Sequence, residues 1–154
     1  MYTEFITLLS GRTLEEDQAR DLATSLEAMI REPEDWMLEL ECEDVGQLAV
    51  ELTLCDFFLI GDKIDELHEL ISDEFAEPLK PFPQRDGDRK MRASEYFAWL
   101  DRELEACDPP WALLEWRNGL DDNLHVVIVR RSDTGRILAL AGEMGFHVGP
   151  ARGD

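Results

Sequence analysis

The fold class of this chain is decided by residues 111–130, WALLEWRNGLDDNLHVVIVR. Two apolar runs, Trp111 to Arg117 and Leu124 to Arg130, have the composition of β-strands. The polar segment between them contains Asn118-Gly119, a pair that is typical of turns. The stretch therefore predicts an antiparallel hairpin at about 111–130.

The residues after the hairpin predict a short helix and one more strand. Ser132 or Asp133 is a suitable N-cap, and Gly145 supplies the left-handed residue with which many helices end. An edge strand is predicted at 146–148. The apolar stripe of the helix consists of Ile137, Leu138, Leu140, Ala141 and Met144.

The region before the hairpin is predicted to be mainly helical. Thr13 and Glu16 form a T-x-x-E capping box, and leucines at three- and four-residue spacing follow it, so a helix is predicted at 13–30. A shorter helix precedes it and ends at Gly11. Two further helices are predicted, one that starts with Asp62 as its N-cap and one at about 93–107. The core face of the Asp62 helix consists of Ile64, Leu67, Ile71 and Phe75.

Residues 33–60 allow two interpretations. Pro33 and the acids after it are typical of a helix start, and the Leu, Glu and Met content also favours helix. Apolar and polar residues nevertheless alternate from Leu38 to Cys42 and again from Leu48 to Leu54, which is the period of a strand. We predict helices, and a hairpin that turns at Val45-Gly46 is the alternative.

Most helices thus precede a small sheet, which is the pattern of an α+β fold. A chain of 154 residues with 44% hydrophobic side chains is large enough to bury one core. We therefore predict a mainly helical α+β domain at 1–150, with a small antiparallel sheet in its C-terminal third and a short tail at 151–154.

Acidic residues are unevenly distributed along the chain, whose formal net charge is −20. Residues 27–77 contain 17 acidic and two basic side chains, a net of −15, whereas residues 81–154 contain 13 acidic and 10 basic ones, a net of −3. Such a charge repels nucleic acid and anionic membranes and attracts basic protein surfaces. The longest apolar run, Phe57 to Ile60, is too short to cross a bilayer.

Two groups of residues are candidates for an interaction surface. The acids Glu39, Glu41, Glu43 and Asp44 belong to the negative segment. Tyr96 and Trp99 lie one turn apart on a predicted helix, beside its core face, where an aromatic pair is either core or an interface hot spot. The N-terminus lacks a basic signal segment, and the three cysteines lack C-x-x-C spacing, so a cytoplasmic location is expected.

The best candidate for a metal site is Asp65, His68 and Glu69, which helical spacing places on one side of a helix. A dinuclear site in a helical bundle needs paired Glu-x-x-His segments, and this chain has one imperfect copy, so a solvated charged face is the alternative. Asp86-Gly87-Asp88 and Asp121-Asp122-Asn123 lack the remaining ligands of a calcium loop and are interpreted as turns. No cofactor motif is present, and no cofactor is expected.

Several segments resemble a family of uncharacterised bacterial proteins, domain of unknown function 6630. They are Glu32-Pro33-Glu34-Asp35-Trp36, Trp111-Ala112-Leu113-Leu114-Glu115-Trp116, the run Val126 to Arg130, and the helix that ends at Met144-Gly145-Phe146. The resemblance covers most of the chain in pattern and order. It implies a compact, mainly helical α+β domain from a bacterium, and it brings no active-site residues with it. This chain departs from the family in one motif. The family often shows an Asp-Trp-Lys, whereas the nearest counterpart here is Asp56-Phe57-Phe58 or Gly61-Asp62-Lys63.

Three hypotheses about function follow. The first is a non-catalytic binding or accessory module whose acidic surface docks a basic protein partner. The second is a metal-dependent enzyme that uses the site at Asp65, His68 and Glu69. The third is a homo-oligomer that packs through its tryptophan-bearing face.

Overall fold

A computed structural model describes residues 1–40, 44–83, 91–117 and 121–152. Seven helices and four strands lie within these ranges, and the α+β class is confirmed. In chain order they are α1 (Tyr2–Leu9), α2 (Glu16–Arg31), α3 (Asp35–Glu39), α4 (Val45–Thr53), β1 (Phe58–Gly61), α5 (Ile64–Asp73), α6 (Ala93–Glu105), β2 (Trp111–Trp116), β3 (Leu124–Arg130), α7 (Thr134–Met144) and β4 (Val148–Pro150).

The described strands form one antiparallel sheet in the order β1-β3-β2-β4. The predicted hairpin is confirmed, with Trp111 opposite Arg130 and Glu115 opposite Val126. The last strand lies at 148–150 rather than at 146–148, and it pairs with β2 as an edge strand. Ala151 continues this pairing, since its N–H donates to the Leu113 carbonyl at 3.1 Å. The pairing with β2 therefore continues one residue past β4.

Helices cover both faces of the sheet. Successive strand residues point to opposite faces, so Ala112 and Leu114 join one hydrophobic cluster while Leu113 joins another. Residues of helices α1–α4 and α7 complete the first cluster, and we call these helices the first layer. Residues of helices α5 and α6 complete the second cluster, and we call these two helices the second layer. Burial on both faces explains why the strands are apolar at nearly every position.

The helix prediction for residues 33–60 is confirmed at Asp35–Glu39 and Val45–Thr53, where the hairpin alternative is wrong, but Phe58 to Ile60 belong to strand β1. The Asp44 side chain accepts hydrogen bonds from the Gly46 and Gln47 N–H groups and so caps α4. All residues from Gly46 to Glu51 are buried. Because α4 is enclosed on several sides, its apolar residues do not follow a single helical stripe, and their alternation gave a false strand signal.

Three details of the prediction are corrected. The capping box of α2 is formed by Glu15 and Gln18, because the Thr13 hydroxyl instead donates to the Ser10 carbonyl. The N-cap of α5 is Lys63 rather than Asp62. The strand β1 was not predicted at all. The end of α7 at Gly145, with φ of +80°, is confirmed.

Polar contacts fix α4 against the end of the sheet. The Gln47 side chain is 1% exposed, accepts from the His147 N–H at 2.9 Å and donates to the His147 carbonyl at 2.6 Å. The buried Trp116 indole donates to the Gln47 carbonyl at 3.0 Å. These contacts hold the α4 residue Glu51 over β3. None of the described helices combines the length and the apolar character that crossing a membrane requires.

Candidate functional site

The acidic segment 27–77 faces outward, but it does not form one patch. Thirteen of its 15 described carboxylates are exposed. Within the described part of the chain, none of these 13 forms an ion pair with a lysine or arginine. The acids of α2 and α3 lie on the first layer, however, and those of α5 lie on the second layer, across the sheet. Any docking surface is therefore smaller than the whole segment.

One part of the segment combines acids with exposed apolar side chains. Trp36 is 46% exposed, Leu38 60% and Leu40 38%, whereas Met37 between them is 1% exposed and packs in the first cluster. The neighbouring carboxylates are all exposed. We call this region the α3 surface, and it consists of Glu32, Glu34, Asp35, Trp36, Leu38, Glu39 and Leu40.

The local sequence explains why these apolar residues face solvent. The helix α3 has only five residues and is anchored by Met37, so its remaining side chains project away from the core. Trp36 donates a short hydrogen bond from its indole nitrogen to Glu34, which ties the ring to an adjacent carboxylate. The α3 surface thus presents a partly fixed aromatic ring beside unpaired negative charge.

The residues predicted to form an interface are in different settings. Glu39 is exposed on the α3 surface, and Asp44 is half-buried at the start of α4. Glu41 and Glu43 lie outside the described residues. Tyr96 is completely buried, and its assignment to an exposed surface is corrected.

The aromatic residues of α6 pack around a buried histidine. The Tyr96 hydroxyl lies 2.8 Å from Nδ1 of His68, and the His68 ring lies 5.6 Å from the ring centroids of both Tyr96 and Trp99. Phe82 completes the cluster at 5.9 Å from His68. Burial raises the pKa of Tyr96, so its hydroxyl stays protonated. Trp99 is half-buried in this cluster.

The side chains of the predicted metal site point in different directions. Asp65 and Glu69 are exposed, whereas His68 is 4% exposed and points into the second cluster. Nε2 of His68 lies 2.9 Å from the Lys80 carbonyl, which can only accept, so this nitrogen carries a hydrogen. In the neutral ring Nδ1 then accepts from Tyr96. Both nitrogens are occupied, and none of the described residues form a group of three or more His, Cys, Asp or Glu suited to a metal ion.

A second buried histidine is held between two carboxylates. His125 on β3 is 5% exposed. Its Nδ1 makes a short contact with the buried Glu51 carboxylate of α4, and its Nε2 lies 2.8 Å from Oδ1 of Asp121. Hydrogen bonds to Glu51 and then to Asp121 raise the pKa of His125 from 6.5 to about 9, although burial opposes this. At neutral pH the ring is therefore a buried imidazolium that donates to both carboxylates.

This Glu51–His125–Asp121 cluster, which we call the ion cluster, joins the first layer to the sheet. Burial alone would raise the pKa of Asp121, but hydrogen bonds from His125 and from the Asn123 backbone outweigh it and lower that pKa. Because both ring nitrogens are bound to carboxylates, His125 is not available as a general base. The cluster is suited to stabilising the fold rather than to catalysis.

The sequence does not predict the ion cluster. Glu51 and His125 are 74 positions apart and lie on different kinds of element. The spacing of Asp121 and His125, four positions apart across a turn, was the one local signal. The predicted turn at Asp121 is confirmed, since its carboxylate accepts from the Asn123 N–H at 2.9 Å. The predicted turn at Asp86-Gly87-Asp88 lies outside the described residues.

Comparisons with known proteins give no match for this chain, whether with family models, curated proteins or solved structures. The resemblance to domain of unknown function 6630 therefore stays a prediction.

Proposed function

We propose that this protein is a non-catalytic binding module that docks a basic protein partner on the α3 surface. The observation that carries the proposal is the exposure of Trp36, Leu38 and Leu40 among unpaired carboxylates. Contiguous apolar side chains rimmed by polar ones are characteristic of interaction sites. Tryptophan is also among the residues that most often dominate the binding energy of an interface.

The charge of the α3 surface selects the chemistry of the partner. Its four carboxylates are exposed and form no ion pair within the described residues. Docking an acidic protein or a nucleic acid there would bring like charges together. A partner with lysine or arginine around an apolar pocket would instead neutralise the rim while it buries Trp36. Such a complex should form rapidly and weaken as salt is added.

The proposal can be tested by site-specific photo-cross-linking in cells that express the protein. A photoreactive amino acid replaces Leu38 on the α3 surface, and the matched control carries it at Leu52, an exposed leucine of α4. We expect an adduct with a basic protein at position 38 and a weaker or absent one at position 52. The captured protein is then purified and titrated with the unmodified chain.

Reconstitution decides whether the adduct reports a specific complex. We expect Trp36→Ala to weaken binding at least tenfold, because it removes a central aromatic anchor. Glu39→Gln removes one charge from the α3 surface. A triple variant on α5 removes three charges away from that surface and should change affinity less than Glu39→Gln does. Its substitutions are Asp65→Asn, Glu66→Gln and Glu69→Gln. An adduct between two copies of this chain would support self-association instead. The absence of an adduct, or an acidic partner, would overturn the proposal.

A further inference from the structure

A separate cleft opens on the second face of the sheet, beyond the end of α5. Its volume is about 260 Å³. Leu59, Trp111 and Ile128 contribute strand side chains to it, and Phe57 and Phe75 add two further aromatic rings. These five side chains are all half-buried. The cleft is thus a small, largely apolar and aromatic recess that remains partly open to solvent.

The turn after α1 closes one side of the cleft and requires a glycine. Gly11 has φ of +69°, and a Cβ atom there would lie 3.3 Å from Cζ3 of Trp111. A side chain at this position would be strained and would push against the indole. The ring of Phe75 packs edge-on against Trp111 with a centroid separation of 6.2 Å. The aromatic walls are therefore held in place by backbone and ring contacts.

Two carboxylates at the cleft have no cation. Asp56 and Glu74 line it, are exposed, and form no ion pair with any residue in the described ranges. The nearby Arg12 guanidinium is already bound by Asp133 through two hydrogen bonds, at 2.7 and 2.8 Å. Arg130 lies over the Trp111 ring, 5.6 Å from its centroid, and is not among the residues that line the cleft. Its charge acts on Asp133, whose pKa it helps to lower.

Aromatic faces with adjacent carboxylates are suited to an organic cation. The electron-rich ring face attracts a guanidinium or ammonium group, and the apolar walls accept the hydrocarbon stem that carries it. Two carboxylates supply fewer oxygen ligands than the roughly six to eight that Ca²⁺ takes. The formal charge of −20 adds a long-range attraction for any cation.

We propose that this cleft binds a guanidinium or alkylammonium group on an apolar stem. The cationic head pairs with Asp56 and Glu74, and the stem lies against Phe57, Phe75 and Trp111. The cleft is on the second face of the sheet, and the α3 surface belongs to the first layer. This inference is therefore independent of the proposed docking function, and either can fail without the other.

The test is a titration of ¹⁵N-labelled protein at low ionic strength, followed by amide chemical shifts. The probe is arginine with both ends capped, and its neutral control is capped citrulline, which has nearly the same shape. We expect saturable shifts at Gly11, Thr13 and Phe75 with capped arginine, and at least fivefold weaker binding of citrulline. Butylguanidinium, which has the same single charge as capped arginine, provides a second arm. Butylguanidinium binding at least tenfold tighter than capped arginine would indicate a free small molecule, and similar affinities would indicate a protein side chain; both support the cleft.

Variants separate the cleft from general attraction to an acidic protein. Asp56→Asn combined with Glu74→Gln should weaken capped arginine binding by about 4- to 25-fold, since each exposed charge pair contributes a factor of about two to five. Asp65→Asn with Glu66→Gln removes the same charge from α5 away from the cleft and should change affinity less than twofold. Equal losses in the two double variants would overturn the proposal. So would equal binding of citrulline, or an absence of saturable shifts at the cleft.

Discussion

The two buried histidines are almost equally exposed, but the groups that contact their rings are chemically different. His68 is 4% exposed and His125 is 5% exposed. His68 lies in the second layer among aromatic rings, with a hydroxyl and a carbonyl as its partners. His125 lies under the first layer between two carboxylates. The comparison shows that two equally buried imidazoles can be held by different groups, and that the two carboxylates are what keep His125 charged.

The largest effect is expected when each histidine is replaced by leucine. His125→Leu removes the imidazolium that pairs with the buried Glu51 carboxylate and should lower the free energy of unfolding by about 3–5 kcal/mol. His68→Leu keeps the apolar packing and leaves the Tyr96 hydroxyl and the Lys80 carbonyl without their partner, at a cost of about 1–3 kcal/mol. Urea unfolding at pH 7 measures both values. Equal losses of unfolding free energy in the two variants would contradict the difference between the two histidine sites.

A double variant provides the control for that measurement. Glu51→Leu added to His125→Leu also removes the buried carboxylate that has lost its imidazolium, so it should recover part of the lost stability. If the double variant were less stable than the single one by a further several kcal/mol, packing rather than charge would account for the effect.

Raising the pH should weaken the ion cluster, because His125 then loses its proton. The pKa of His125 is raised in the folded protein from 6.5 to about 9. Its contribution is therefore complete below about pH 6.5 and is lost as the pH rises through about 9. The shift corresponds to about 3 kcal/mol. Urea unfolding from pH 6 to 10 should show this loss in the wild type and in His68→Leu, and a much shallower slope in His125→Leu.

A smaller effect tests the hydroxyl that His68 depends on. Tyr96→Phe removes the hydrogen-bond partner of Nδ1 and should cost about 1–2 kcal/mol, because it leaves a buried ring nitrogen unsatisfied. The matched control is Tyr2→Phe at the other tyrosine of the chain, which is half-buried and should change stability by less than about 0.5 kcal/mol. Similar values for the two variants in thermal unfolding would show that the hydroxyl contributes little.

The sequence predicts the second half of the fold better than its first half, for physical reasons. The pattern of β2, β3 and α7 is local, with apolar runs, a polar turn and Gly145 at the helix end. The helix α4 is buried around much of its circumference, so periodicity misleads there, and propensity with the Asp44 cap decides instead. The strand β1 has only four residues, which is too few for a reliable period.

The clusters around His68 and His125 depend on contacts between distant residues, and these contacts are not encoded in spacing. The pattern around Asp65, His68 and Glu69 predicts a shared face, but the core takes His68 and leaves the two acids in solvent. Tyr96 is likewise buried, and its hydroxyl contacts His68, which lies 28 positions away. The acidity of residues 27–77 is evident from composition. Its division between two layers depends on the sheet that lies between them, and composition gives no sign of it.

The smallest effect concerns the outer carboxylate of the ion cluster. Asp121 has a side chain 41% exposed, whereas that of Glu51 is 10% exposed. Asp121→Asn keeps an oxygen that can accept from Nε2, and water screens the lost charge, so we expect a stability loss below about 1 kcal/mol. Glu51→Gln should lower the pKa of His125 further than Asp121→Asn does, because the buried carboxylate is screened less. NMR titration of the His125 ring in both variants measures this order. A larger fall in the pKa of His125 in Asp121→Asn would mean that the exposed carboxylate, rather than the buried one, keeps His125 charged. The contact with Asp121 would then be what distinguishes His125 from His68.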